Sequence, residues 1–183
     1  MKVYPLSFTG LFFLLVLLGC TAEFEADLTA EVSQRTLNIR LTDAPINFEE
    51  VNIDIETVVV KGMGATDTLE LNTNSGIYNL LEYQDGLDTL IANAVINMDF
   101  VGQVRLILGD SNTVKVDNEF FELEIPSGSQ SGLKVKTCLD LTNVMDYDLV
   151  LDFDALESIH QTGNGRFIMN PVIHAVNPDA QCP

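Results

Sequence analysis

From residue 36 onward apolar and polar residues alternate with a period of two, and this rhythm leaves the chain little choice but an all-β body. Leu37, Ile39 and Leu41 alternate with Asn38 and Arg40; Val51, Ile53 and Ile55 alternate with Asn52, Asp54 and Glu56. Side chains of a strand point alternately to its two faces, so such runs give one apolar and one wet face. On a helix the same residues would be smeared around the girdle. Val58-Val59-Val60 loses the alternation and predicts a bulge or burial on both faces. Pro45, in the turn Thr42-Asp43-Ala44-Pro45, has no N–H and ends the first ladder. Further strand signals lie at Leu69 and Leu71, on both sides of Asp85-Gly86, and in VGQVRLILG. Others flank Asp117-Asn118 and fall in LKVKTCLDL, YDLVLDF and RFIMNPVIHAV. Leu80-Leu81 and ALESIHQ read equally well as single helical turns. The sum predicts about eight to ten short strands in an antiparallel β-sandwich.

The N-terminus follows a different rule. Residues 6–18, LSFTGLFFLLVLL, are apolar; Lys2 precedes them, Gly19-Cys20 follows, and no acid occurs before Glu23. That is the layout of a secretory signal peptide, and the run is shorter than the about 20 residues a bilayer span requires. Leu-Leu-Gly-Cys resembles the bacterial lipobox, in which the cysteine is acylated and becomes the first residue. The expected organisation is a lipoprotein signal peptide over 1–19, acylated Cys20 with a flexible tether over 20–35, and one sandwich domain over 36–183, Ig-like or transthyretin-like. Acyl chains contribute about 0.8 kcal/mol per buried methylene, so one holds marginally and several hold firmly. This places the protein in the cell envelope, lipid-anchored at the outer membrane on its periplasmic or surface face. Glu23, Glu25 and Asp27 loosely resemble the acidic export signal of Bacteroidetes-type surface lipoproteins.

Charge narrows the partners. Asp and Glu number 27 against nine Lys and Arg, a formal charge of −18. The basic residues are scattered along the sequence without a run. Nucleic acid, which needs clustered cations, is therefore not expected as a partner, nor is docking to anionic lipid through protein charge. There is no Trp for stacking on sugars; Tyr78, Tyr83 and Tyr147 read as core or rim. In an exported chain Cys138 and Cys182 are a plausible disulfide, which would pin the tail to a central strand; the alternative is two independent cysteines with Cys138 buried.

Three acids stand out as candidate ligands. Asp43 is placed to cap its turn or to meet a ligand or metal at a sheet end. In DYDLVLDFDALE, Asp152 and Asp154 lie two apart, on one face of a strand with Phe153 inward. Neighbouring carboxylates repel unless a cation or donor separates them, and calcium takes six to eight oxygens. Calcium is the one cofactor considered, against an exposed acidic face or a pair of caps; no EF-hand spacing is present. Gly128-Ser129-Gln130-Ser131-Gly132 has Gln130 where a nucleophile elbow needs serine. His160 and His174 have no zinc spacing, and Gly163-Asn164-Gly165 is a turn rather than a phosphate loop.

Several phrases in order are LTDAP, VNIDIETVVV, QVRLILGDSNTV, IPSGSQSGLKV, LDFDALESI and GNGRFIMNPVI. They resemble the bacterial domain of unknown function 4382, found in lipoproteins of Bacteroidetes. The resemblance spans nearly all of 36–176 and implies an extracytoplasmic β-sandwich; it supplies no activity and no catalytic residues. The functional expectation is a lipid-anchored binding or interaction module, meeting an unknown protein or glycan and not an enzyme. The alternatives are a fimbria-like structural or adhesive subunit polymerising by strand exchange, and a calcium-stabilised accessory domain for glycan or protein binding.

Overall fold

A computed structural model describes residues 34–44, 48–64, 66, 68–126 and 131–182. The leader over 1–19, Cys20 and most of the 20–35 tether lie outside these residues, as do Pro45 and residues 127–130 of the Gly/Ser loop.

The chain is all-β, in two sheets around one apolar core. The smaller sheet is built on β1 (Arg35–Asp43), flanked by β6 (Thr89–Ile96) and β11 (Asp146–Phe153). Short strands close its edges: β4 (Asn72–Thr73) beside β6 and β14 (Ile173–Ala175) beside β11. The larger sheet centres on β2 (Glu50–Gly62) and β7 (Phe100–Leu108), with β10 (Leu133–Asp140) at the edge beyond β7. Beyond β2 it continues through β8 (Thr113–Val116), β9 (Glu119–Glu124), β13 (Phe167–Met169) and β12 (Ile159–Gln161). Short strands β3 (Thr68–Glu70) and β5 (Gly76–Asn79) also pair with β2.

The period of two is realised most cleanly in β1, β10 and β11 and is lost in β6, where Ile91 and Ala92 are both buried. In β1, Leu37, Ile39 and Leu41 are fully buried while the residues between them are half-buried. Each such side chain removed from water contributes about 1.5–3 kcal/mol. The valine run keeps its alternation, with Val58 and Val60 in the core and Val59 half-buried. The bulge lies just before it, where the β2–β7 register shifts between Ile55 and Thr57. Asp117 and Asn118 both have positive φ, 52° and 63°, as a tight hairpin between β8 and β9 requires.

Two features depart from the expected pattern. The sheets are mixed: β1 pairs with β11 in parallel, and β13 with β9. A parallel pair needs a long crossover, and here much of the larger sheet forms between β1 and β11. Among the described residues fourteen strands are present against the eight to ten expected, because strands of two to four residues are too short to show a period. Leu80–Tyr83 is a 3-10 turn capped by Asn79, whose side chain accepts from Leu81 N. Ala155–Ser158 forms the one-turn helix α1.

Candidate binding surface

The parallel register of β1 and β11 sets Thr42 opposite Asp152 and Asp43 opposite Phe153. Asp43, more than a hundred residues away in sequence, is thereby brought to the Asp152/Asp154 pair at one corner, but each acid is directed to separate work. Asp43 is buried, 4 % exposed. One of its oxygens accepts from Ala155 N at 3.1 Å and the other from Gln84 Nε2 at 3.0 Å. Its carboxylate thus spans β1, the 84–87 turn and the start of α1. Burial raises its pKa; the two hydrogen bonds oppose this, and Asp152 and Asp154 add to it. Asp154 is the N-cap of α1 and accepts from Glu157 N at 2.9 Å. Asp152 faces His174 across the β11–β14 pair. Its Oδ1 is enclosed with no hydrogen-bond partner, and burial followed by repulsion from Asp154 raises its pKa, with His174 opposing. Among the described residues no group of three or more His, Cys, Asp or Glu side chains could hold a metal ion.

Cys138 on β10 is joined to Cys182 by a disulfide. The anchoring strand is a sheet edge rather than a central strand. The bridge holds the C-terminal segment against β10. The preceding residues are held too: Asn177 Oδ1 accepts from Val150 N at 2.8 Å and its Nδ2 donates to Asp148 O at 3.0 Å. One amide side chain thereby extends the ladder of β14 along β11.

The outward face of β10, β7 and β2 is chemically distinct. In register, Lys61, Gln103 and Lys136 form one row, and Val59, Arg105 and Lys134 the next. Strand spacing of about 4.8 Å puts the backbones of Lys61 and Lys136 about 10 Å apart, with the second row about 7 Å along the strands. The inward residues of the same strands, Val58, Val60, Val104, Leu106, Leu133 and Val135, are core. Every other described cation has a carboxylate partner: Arg35 with Asp99 at 2.9 Å, Arg40 with Asp88, Lys115 with Glu50 at 3.0 Å, and Arg166 with Glu124 at 3.3 Å. Lys61, Arg105, Lys134 and Lys136 form no ion pair among the described residues. Arg105 Nε is enclosed without a hydrogen-bond partner, while its Nη2 only grazes Gln103 Oε1 at 3.5 Å. The nearest acid in these rows is Glu70, across β2 from Arg105.

A hollow of about 370 Å³ opens on this face, lined by Lys61, Met63, Gly102, Gln103, Lys136 and the disulfide. Gly102 packs against Met63, whose Cα would stand 3.1 Å from a Cβ added to the glycine. A second hollow of about 380 Å³ also borders Lys136, together with His174 and Gln181.

The sequence missed this surface because its cations are spread from residue 61 to 136. Their common phase on three strands was the available signal, but it needs the strand register to read. The remaining candidates are structural. Tyr78 donates to Asn74 O and stacks obliquely near Tyr83 at 6.4 Å, and Tyr147 donates to Asp179 at 2.7 Å. His160 is exposed on β12, and Gly165 adopts φ 82° in its turn.

Comparison with known proteins gives one match. A family model described as a domain of unknown function (DUF4382) matches residues 34–171. No curated protein and no solved structure matches. The matched span runs from just before β1 to just past β13 and takes in both sheets, including the cationic face. On that coverage, the chain belongs to the DUF4382 family.

Proposed function

We propose that this protein is a lipid-anchored binding module of the cell envelope, held to the membrane through Cys20 and meeting its partner through the outward face of β2, β7 and β10. One observation carries the binding half of this reading: four cations that form no ion pair among the described residues share one face of a chain whose charge is −18. Each other described cation is paired with a carboxylate. A face that gathers cations in this way is suited to a ligand that supplies countercharge.

Edge protection accounts for part of the pattern. Lysines on an edge strand deter pairing with other chains, which covers Lys134 and Lys136 on β10. It does not cover Lys61 and Arg105, which lie on interior strands. The other described edges are short, with two residues in β4 and three each in β12 and β14. This favours an interaction module over a subunit that polymerises by strand exchange.

The anchor half rests on the leader and its cysteine. Cys20→Ser, expressed in a bacterial host and fractionated, is expected to leave the membrane fraction, and the mature wild-type chain is expected to show acyl mass on residue 20. Unchanged membrane association of the Cys20→Ser chain would overturn the anchoring role.

A further inference from the structure

We infer that the outward β2–β7–β10 face takes an acidic, apolar-containing peptide segment of a protein partner. This deepens the binding-module reading and rests on it. Charge complementarity is the first argument: Lys61, Arg105, Lys134 and Lys136 form a compact patch in which no member has an ion-pair partner among the described residues.

The second argument comes from what borders the patch. Where β2 ends against the start of β7, Met63 N donates to Phe100 O at 3.2 Å, and both side chains lie open, 52 % and 43 % exposed. Met63 also lines the hollow between Lys61 and Lys136. Met, Phe and Arg are the residue types enriched where proteins meet, and exposed apolar anchors beside cations match a chain that carries both carboxylates and apolar side chains. A polyanionic glycan would satisfy the lysines but bury nothing on Met63 and Phe100. An anionic bilayer would satisfy them too, but a flat charged plane would also face the carboxylates that give this chain its −18, and repulsion acts over about 8 Å at physiological salt.

The hollows supply the third. Both border Lys136, so a strand-like peptide crossing β10 has room for side chains beside the lysine. Arg105, whose Nε is enclosed and without an acceptor among the described residues, stands in the second row beside Lys134.

Fluorescence anisotropy tests this with the purified full-length chain and a labelled short peptide of glutamate and leucine. Binding is expected at low salt and should weaken as salt rises. Lys61→Gln with Lys136→Gln should weaken it about tenfold, the sum of two surface charge contacts. Lys61→Arg with Lys136→Arg should keep it, Phe100→Ser should weaken it, and Lys115→Gln should leave it unchanged. Equal melting temperatures for the Gln variants and wild type show that the fold is intact. No peptide binding, equal binding by the double Gln variant, or polygalacturonate or phosphatidylglycerol vesicles bound as tightly as the peptide would overturn the inference. Because binding is read without a membrane, its failure leaves the Cys20 anchor standing.

Discussion

Gly109 lies directly against Asp54: its N–H donates to Asp54 O at 2.9 Å, and a Cβ added to it would stand 2.2 Å from Asp54 Oδ2. The contact fixes the turn after β7 onto β2. Ser111 N donates to the same Oδ2 at 3.2 Å, and Asn112, buried below, accepts from Asp54 N at 2.9 Å and donates to Gly109 O at 2.7 Å. Gly109→Ala must push the Asp54 carboxylate aside and break the Ser111 bond, a loss of about 1 kcal/mol. In Asp54→Ala the nearest carboxylate oxygen left is Glu56 Oε1, 3.1 Å from the added Cβ and on a flexible side chain, so the methyl should do little. A double-mutant cycle by chemical denaturation measures this, and additive effects would contradict the contact.

Asp152 ties stability to pH. Its folded pKa is raised from the ordinary 3.8, by burial first and Asp154 second. Between 3.8 and the raised value the folded state holds more protons than the unfolded state, so this group's contribution is full below 3.8 and is lost as pH rises through the raised value. Asp152→Asn should therefore raise the melting temperature at pH 7, each kcal/mol being worth roughly 2–4 °C. The gain should vanish near pH 3, where Asp152 is protonated as well. A gain that persists in acid would assign the effect to something other than charge.

The disulfide closes a sequence separation of 44 residues. In the loop-entropy model that constraint is worth about 4 kcal/mol. Cys138→Ser with Cys182→Ser should lose up to that amount. Reduction should also free the C-terminal segment first, raising hydrogen exchange at 176–182 before β1 or β11 responds. Uniform loss of protection would show that the bridge holds the whole sandwich rather than its tail.

Calcium at millimolar concentration should leave the melting temperature unchanged. Both oxygens of Asp43 already accept N–H bonds, and Asp154 is occupied as a cap. Isothermal titration and a thermal melt read this directly, and a rise in melting temperature would return the acidic corner to candidacy as a cation site.

How far the sequence could be read depended on the range of the signal. The alternation at 37–41 and 51–55 identified β1 and β2 because a strand's period is local, and Asp117-Asn118 marked its hairpin through a local demand for positive φ. The parallel partnership of β1 with β11 was not legible, since nothing in either segment specifies a neighbour a hundred residues away. The corner of Asp43, Asp152 and Asp154 was thus visible as separate acids but not as a place. The cationic face was hidden for the same reason: Lys61, Arg105 and Lys136 become neighbours only through the β2–β7–β10 register.

The parallel match of β1 to β11 also sets an order of events. β1 gains its second neighbour only when residues 146–153 are available, so the smaller sheet cannot be completed from the N-terminal end alone. Long-range pairings of this kind form late. A chain ending before residue 146 would therefore keep the β6 side of β1 paired and leave its other side open.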